Sequence, residues 1–164
     1  MNWVLAISYW IHLLATVVWL GGITLMLLVA WPALQQGSLA SNQWFNIQRR
    51  FMPWANASLV ILLVTGFLQM SLDSNYTGFL QVDSAWAWAI LLKHIVFAVM
   101  VIITVYVQVV LYPAMTRLTL LEEKNPNSAA DERDKLRQQE VRMLRLNVLC
   151  AAGVLLFTAI ATAI

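Results

Sequence analysis

Residues 3–31 read WVLAISYWIHLLATVVWLGGITLMLLVAW. The stretch contains no Asp, Glu, Lys or Arg and exceeds the roughly 20 apolar residues that a membrane-spanning helix needs. Its lack of a basic start, and an apolar run longer than the roughly 7–15 residues of a signal-peptide core, read as a spanning helix rather than a cleaved leader. Three more stretches have the same character, at about 52–72, 85–114 and 144–164. The first and third are longer than lipid requires, so tilt or protrusion is expected.

The rest of the chain agrees. Of its 164 residues, 61% are hydrophobic and 11% charged, with a mean hydropathy of +0.73. A soluble domain carries about 45–50% apolar and about 25% charged residues. The predicted fold is therefore an all-α integral membrane protein: one transmembrane domain over residues 1–164, built as a four-transmembrane-helix bundle with the lipid bilayer as its surroundings. The single cysteine, Cys150, excludes an intramolecular disulfide and a multi-cysteine zinc or iron–sulfur site within one chain. There is no phosphate-binding glycine loop, Gly-x-Ser-x-Gly elbow or His-Glu-x-x-His. A net charge of +2 gives no reason to expect nucleic acid as a partner. Several of the eight tryptophans fall at segment ends, where an interfacial belt places them.

Charge sets the expected topology. Residues 33–51 carry Arg49 and Arg50, residues 71–84 carry only Asp73 and Asp83, and residues 116–145 carry Arg117, Lys124, Arg133, Lys135, Arg137, Arg142 and Arg145. Lys and Arg collect in cytoplasmic loops. The first and third connections are thus expected in the cytoplasm and both termini outside. Pro126 and Ser128 before Asp131 and Glu132 read as a helix start, and nothing breaks a helix from there to Leu146. A cytoplasmic extension at about 128–143 should lead straight into the fourth span, its mixed charges forming a solvated face.

The two halves resemble each other. The first span ends Ala30-Trp31-Pro32-Ala33-Leu34 and the third ends Leu111-Tyr112-Pro113-Ala114-Met115, and counting back from the prolines sets His12 opposite Lys93. Two tandem helical hairpins, related by an axis along the membrane normal, would produce this pattern.

His12, Lys93 and His94 lie inside apolar spans, where a charge costs about 2.5–3.5 kcal/mol and marks a functional site by default. At 1.5 Å per residue, His12 lies about 14 Å beyond Trp3, and Lys93 and His94 about 10–12 Å beyond Trp86, so all three are expected at similar depth in the outer half of the membrane. Helical spacing groups His12 with Thr16, Trp19 and Ile23, and Lys93 with Phe97, Met100, Thr104 and Gln108, with His94 turned about 100° away. Imidazole suits copper, iron and zinc, and thioether suits Cu(I). The candidate metal ligands are therefore His12, His94, Met70 and Met100. Thr65, Gln69, Thr158 and Thr162 could add polar contacts in the outer half. Gly21-Gly22 and Gly66 permit close helix packing or entry of a flat ring. A buried Lys93 ammonium needs a partner, and outer-loop Asp83 is one choice.

The run His12-Leu-Leu-Ala-Thr-Val-Val-Trp19-Leu-Gly21-Gly22 resembles the start of the copper-resistance protein D (CopD) domain. Arg49-Arg50-Phe51 and the run to Thr65-Gly66 are similar to its second helix, and Tyr76-Thr77-Gly78 with Leu91-Leu92-Lys93 to its outer loop and third helix. The resemblance covers nearly the whole chain. It implies a protein of the bacterial inner (plasma) membrane for copper uptake or tolerance, often beside a periplasmic copper-binding partner. His12, Trp19 and Lys93 also resemble landmarks of the HemJ-type protoporphyrinogen oxidases, which implies haem b bound through His12, with Trp19 and Lys93 beside it, and a haem-dependent oxidoreductase or electron carrier. The chain lacks that family's Tyr-Leu-Pro-Arg-like stretch near residues 24–28. The expectations are thus a copper ion or haem b as ligand, with a ligand-free assembly subunit as the third reading and a homodimer as a plausible assembly, since four spans enclose little room.

Overall fold

The computed structural model describes residues 3–73, 84–121 and 126–163. Among the described residues all regular structure is helical. The elements are α1 (Trp3–Leu25), α2 (Trp31–Gln35), α3 (Ser41–Ser71), α4 (Ala85–Tyr106), α5 (Tyr112–Leu121) and α6 (Pro126–Ala163). They form four helices long and apolar enough to cross a membrane, Trp3–Gln35, Gln43–Ser71, Ala85–Leu118 and Asp131–Ala163.

Two joints repeat. A π-helical stretch, Met26–Ala30, links α1 to α2, and another, Val107–Leu111, links α4 to α5. Each directly precedes an aromatic residue and a proline. Proline lacks an N–H, and its ring crowds the carbonyl four residues back. Widening the preceding turn relieves that clash, so the Trp31 N–H reaches back five residues to Met26 O and the Tyr112 N–H to Val107 O. Adding 81 to the residue number carries one joint onto the other and also carries Trp19 onto Met100, each 2% exposed. The two π-helical joints thus recur at a spacing of 81 residues.

The helix ends follow local chemistry. Gly37 (φ +74°) takes the left-handed conformation that stops a helix, and the Ser38 hydroxyl donates to the freed Ala33 carbonyl at 2.9 Å. At the start of α3 the Gln43 side-chain oxygen accepts from the Ala40 N–H at 3.0 Å. Ser84 caps α4, its hydroxyl accepting from the Ala87 N–H at 3.1 Å.

The chain divides into two compact units, one of Met1–Ile90 with Ile160–Ile164, the other of Leu91–Ala159. In the first, α1 packs against α3, with Ala15, Trp19 and Ile23 buried on one side and Ala55, Ser58, Leu59 and Thr65 on the other. The pairs His12–Thr65, Gly22–Phe51 and Trp31–Trp44 show that the two helices run antiparallel. The Phe51 ring occupies the space a Gly22 side chain would need. The glycine notch is therefore filled by the chain's own ring, not left open for a flat ligand. In the second unit Met100, Val107, Leu111 and Leu118 are buried, as are Glu140, Val141, Asn147 and Ala151 of α6. The outward faces keep large apolar side chains such as Val17, Leu28, Val64, Ile102, Val109 and Leu149 exposed, which only a lipid environment tolerates in such number.

One expectation is corrected. Asp131, Glu132, Asp134 and Lys135 are exposed, as a solvated face requires, but Glu140 is fully buried. It stands seven residues before Asn147 on the stripe of α6 that enters the core, and helical geometry outweighs its charge.

Candidate functional site

In the first unit the geometry centres on His12. Its Nδ1 lies 2.7 Å from the Thr65 hydroxyl oxygen. That hydroxyl donates its one hydrogen to the Ile61 carbonyl at 2.6 Å, leaving Thr65 to act as acceptor toward the ring. This network assigns His12 Nδ1 as the donor to Thr65 and the ring's lone pair to Nε2. The backbone at this turn is tied back by Thr16, which donates to the His12 carbonyl at 2.9 Å.

Gly66 completes the seat. A side chain there would start 3.8 Å from His12 Cε1, so the imidazole edge lies along α3 at this glycine. Met70, half-buried in the last turn of α3, shares the helix face of Gly66 four residues later. Trp19, two turns from His12 on the same stripe, is spent on packing between α1 and α3 at 2% exposure. Among the described residues, the hydroxyl of Ser8, 4% exposed and one turn before His12, has no hydrogen-bond partner, and the same holds for the buried Gln69 Nε2.

The other candidates belong to the second unit. Lys93 and His94 are half-buried neighbours on α4. Among the described residues of that unit, no carboxylate forms an ion pair with Lys93. Asp83 and the Tyr76-Thr77-Gly78 stretch lie outside the described residues. Met100 is a core residue, and its carbonyl accepts from Thr104 at 2.9 Å. Asn147 donates to the Thr104 hydroxyl at 3.1 Å, while its own amide oxygen is buried with no partner among the described residues. Lower on α6, Glu140 is close enough to Tyr112 and Arg137 to act on both electrostatically. Among the described residues, no three His, Cys, Asp or Glu side chains gather into a metal cage.

Sequence reasoning does not single out Ser8 or Glu140, and it marks Asn147 only as part of the repeat, after Arg145. Ser8 had a usable signal, lying one turn from His12 on the same face. Asn147 and Glu140 had the seven-residue spacing of a buried stripe.

These observations define a class first: an all-α, multi-pass membrane protein with polar side chains set between its helices. The family model described as Copper resistance protein D matches residues 45–161, and the chain belongs to this CopD family. The matched region contains Thr65, Gly66, Met70, Lys93, His94 and Met100, and α1 with His12 precedes it. No curated protein and no solved structure matches the chain significantly.

Proposed function

We propose that this protein handles copper, in uptake or tolerance, and that it takes the ion at the α1–α3 seam through His12 Nε2 with the Met70 thioether as second ligand. One observation carries the reading. The Thr65 hydroxyl, already committed to Ile61, holds His12 in the tautomer whose Nε2 carries the lone pair. A neutral imidazole locked by a hydrogen bond at its other nitrogen is the usual arrangement of a metal-binding histidine. Imidazole and thioether together suit copper, and Gly66 and Met70 lie on the α3 face where the imidazole edge rests. CopD membership supports the same cargo at family level. CopD membership supports a bacterial inner-membrane location and the charge pattern supports both termini outside, the end of the seam that bears Met70 then facing a periplasmic copper-binding partner. His94 and Met100 remain candidates for a separate binding step in the second unit.

Metal analysis of detergent-purified protein tests the proposal. The expected result is copper bound by the wild type and lost in His12→Ala, with weaker binding in Met70→Leu. Unchanged copper content in His12→Ala overturns it. A visible spectrum belongs to the same experiment: a Soret band that sharpens on reduction would move haem b ahead of copper, and a spectrum without one is expected.

A further inference from the structure

Ser8 and Gln69 provide two polar groups that the ligand pair above leaves unused. Among the described residues neither the Ser8 hydroxyl oxygen nor Gln69 Nε2 has a hydrogen-bond partner, and both atoms are buried. The two belong together in space. Because α1 and α3 are antiparallel and His12 meets Thr65, one turn back along α1 and one turn forward along α3 lead to the same level of the seam. Ser8 is four residues before His12, and Gln69 four residues after Thr65. Four residues rise about 6 Å, so both side chains stand one turn from the imidazole, on the side where Gly66 and Met70 continue α3.

Their chemistry is also matched. A serine hydroxyl offers one hydrogen and an amide nitrogen two. Such groups are rarely buried unpaired, because an unmade hydrogen bond costs the full desolvation of the donor. Together they present hydrogens to an acceptor that no described residue supplies. A copper ion at His12 needs such an acceptor, since a cation in an apolar seam must be compensated. Asp73, just past the end of α3, is the only carboxylate among the described residues of this unit.

We infer that Ser8 and Gln69 hold a hydroxide ligand of the bound copper beside His12 Nε2, both donating hydrogens to its oxygen. This rests on the copper reading of His12 and adds a third ligand together with the residues that position it. Ser8 and Gln69 act through that oxygen and do not touch the metal.

The test uses the full-length protein in detergent, loaded with Cu(II) in ordinary and in ¹⁷O-enriched water and read by pulsed electron paramagnetic resonance. Only the copper signal lost in His12→Ala is counted. The expected result is an ¹⁷O coupling in the wild type and in Ser8→Thr, lost in Ser8→Ala combined with Gln69→Leu. Copper stoichiometry should be unchanged and affinity about tenfold weaker, the scale of a lost hydrogen bond to a charged group. Each single variant is read in the same way, with circular dichroism confirming its helices, so that misfolding of the double variant does not decide the result. A His12-dependent copper signal with no ¹⁷O coupling, or with a coupling unchanged in the variants, overturns this inference and leaves the copper site standing. Absence of His12-dependent copper in the wild type overturns both.

Discussion

Thr65 has one hydroxyl hydrogen and gives it to the Ile61 carbonyl, and every property of His12 used above depends on that choice. Replacing Thr65 with valine keeps the shape and removes the acceptor. The ring is then free to change tautomer, and copper affinity should fall about 10–100-fold, the usual effect of losing a partner that orients a ligating histidine. Thr65→Ser should restore it. Isothermal titration with copper checks both, and an unchanged Thr65→Val would remove the tautomer from the account. Glu140 poses a different question at the same scale. A fully buried carboxylate acting on Tyr112 is part of the packing of its unit. Glu140→Ala should therefore lower the thermal midpoint in detergent by an amount equivalent to about 1–3 kcal/mol. Glu132→Ala, at an exposed position, should stay within about 0.5 kcal/mol. Equal midpoints for the two variants would show that burial of Glu140 contributes nothing. His12 was legible in the sequence because an ionisable group in an apolar run is conspicuous. Glu140 was not, because its neighbours Asp131, Glu132 and Asp134 fit a solvated face and the eye follows composition before spacing.

At the scale of the element, the four spans were readable from apolar length alone, but their limits were not. The helix of the second span begins at Ser41, well before its apolar run, because Gln43 caps the Ala40 N–H and because nothing between Ser41 and Met52 forbids a helix in water. The aromatic-proline pairs were legible as a repeat, whereas the π-helical stretches before them were not. A proline only announces a conflict with the preceding turn, and backbone geometry decides how it is resolved. The Gly22–Phe51 contact is the sharpest constraint on helix packing. Any side chain at residue 22 enters the space of the Phe51 ring, so α1 and α3 must separate or Phe51 must rotate. Gly22→Ala is expected to cost about 1–3 kcal/mol, the range for overpacking a filled interior. Gly21→Ala, where the added carbon meets nothing, should leave stability unchanged or raise it slightly. Thermal unfolding of the two variants in the same detergent separates a packing role from a general preference for glycine, since equal losses would point to the latter.

At the scale of the whole molecule, the repeat and the charge pattern make one statement together. Each unit contributes a long helix broken by a π-helical joint and followed by a second helix, and adding 81 carries His12 onto Lys93 just as it carries Trp31 onto Tyr112. Two halves in the same order place their like ends on the same side only if both first helices enter the membrane in the same direction. The basic residues agree with that arrangement: Arg49 and Arg50 follow the first joint, and Arg117, Arg133, Lys135, Arg137, Arg142 and Arg145 follow the second, while no Lys or Arg occurs in residues 71–84. If the positive ends are cytoplasmic, the Met70 end of α3 and both chain termini face outward, and copper must approach the His12 seam from that side. Alkaline phosphatase joined after Ile164 should then be active and green fluorescent protein at the same position dark, whereas both reporters placed after Gly37 should behave in the opposite way. A fluorescent C-terminal fusion would show instead that the chain lies the other way in the membrane. The Met70 end of the seam would then open to the cytoplasm, and the same ligands would have to serve release of copper rather than capture.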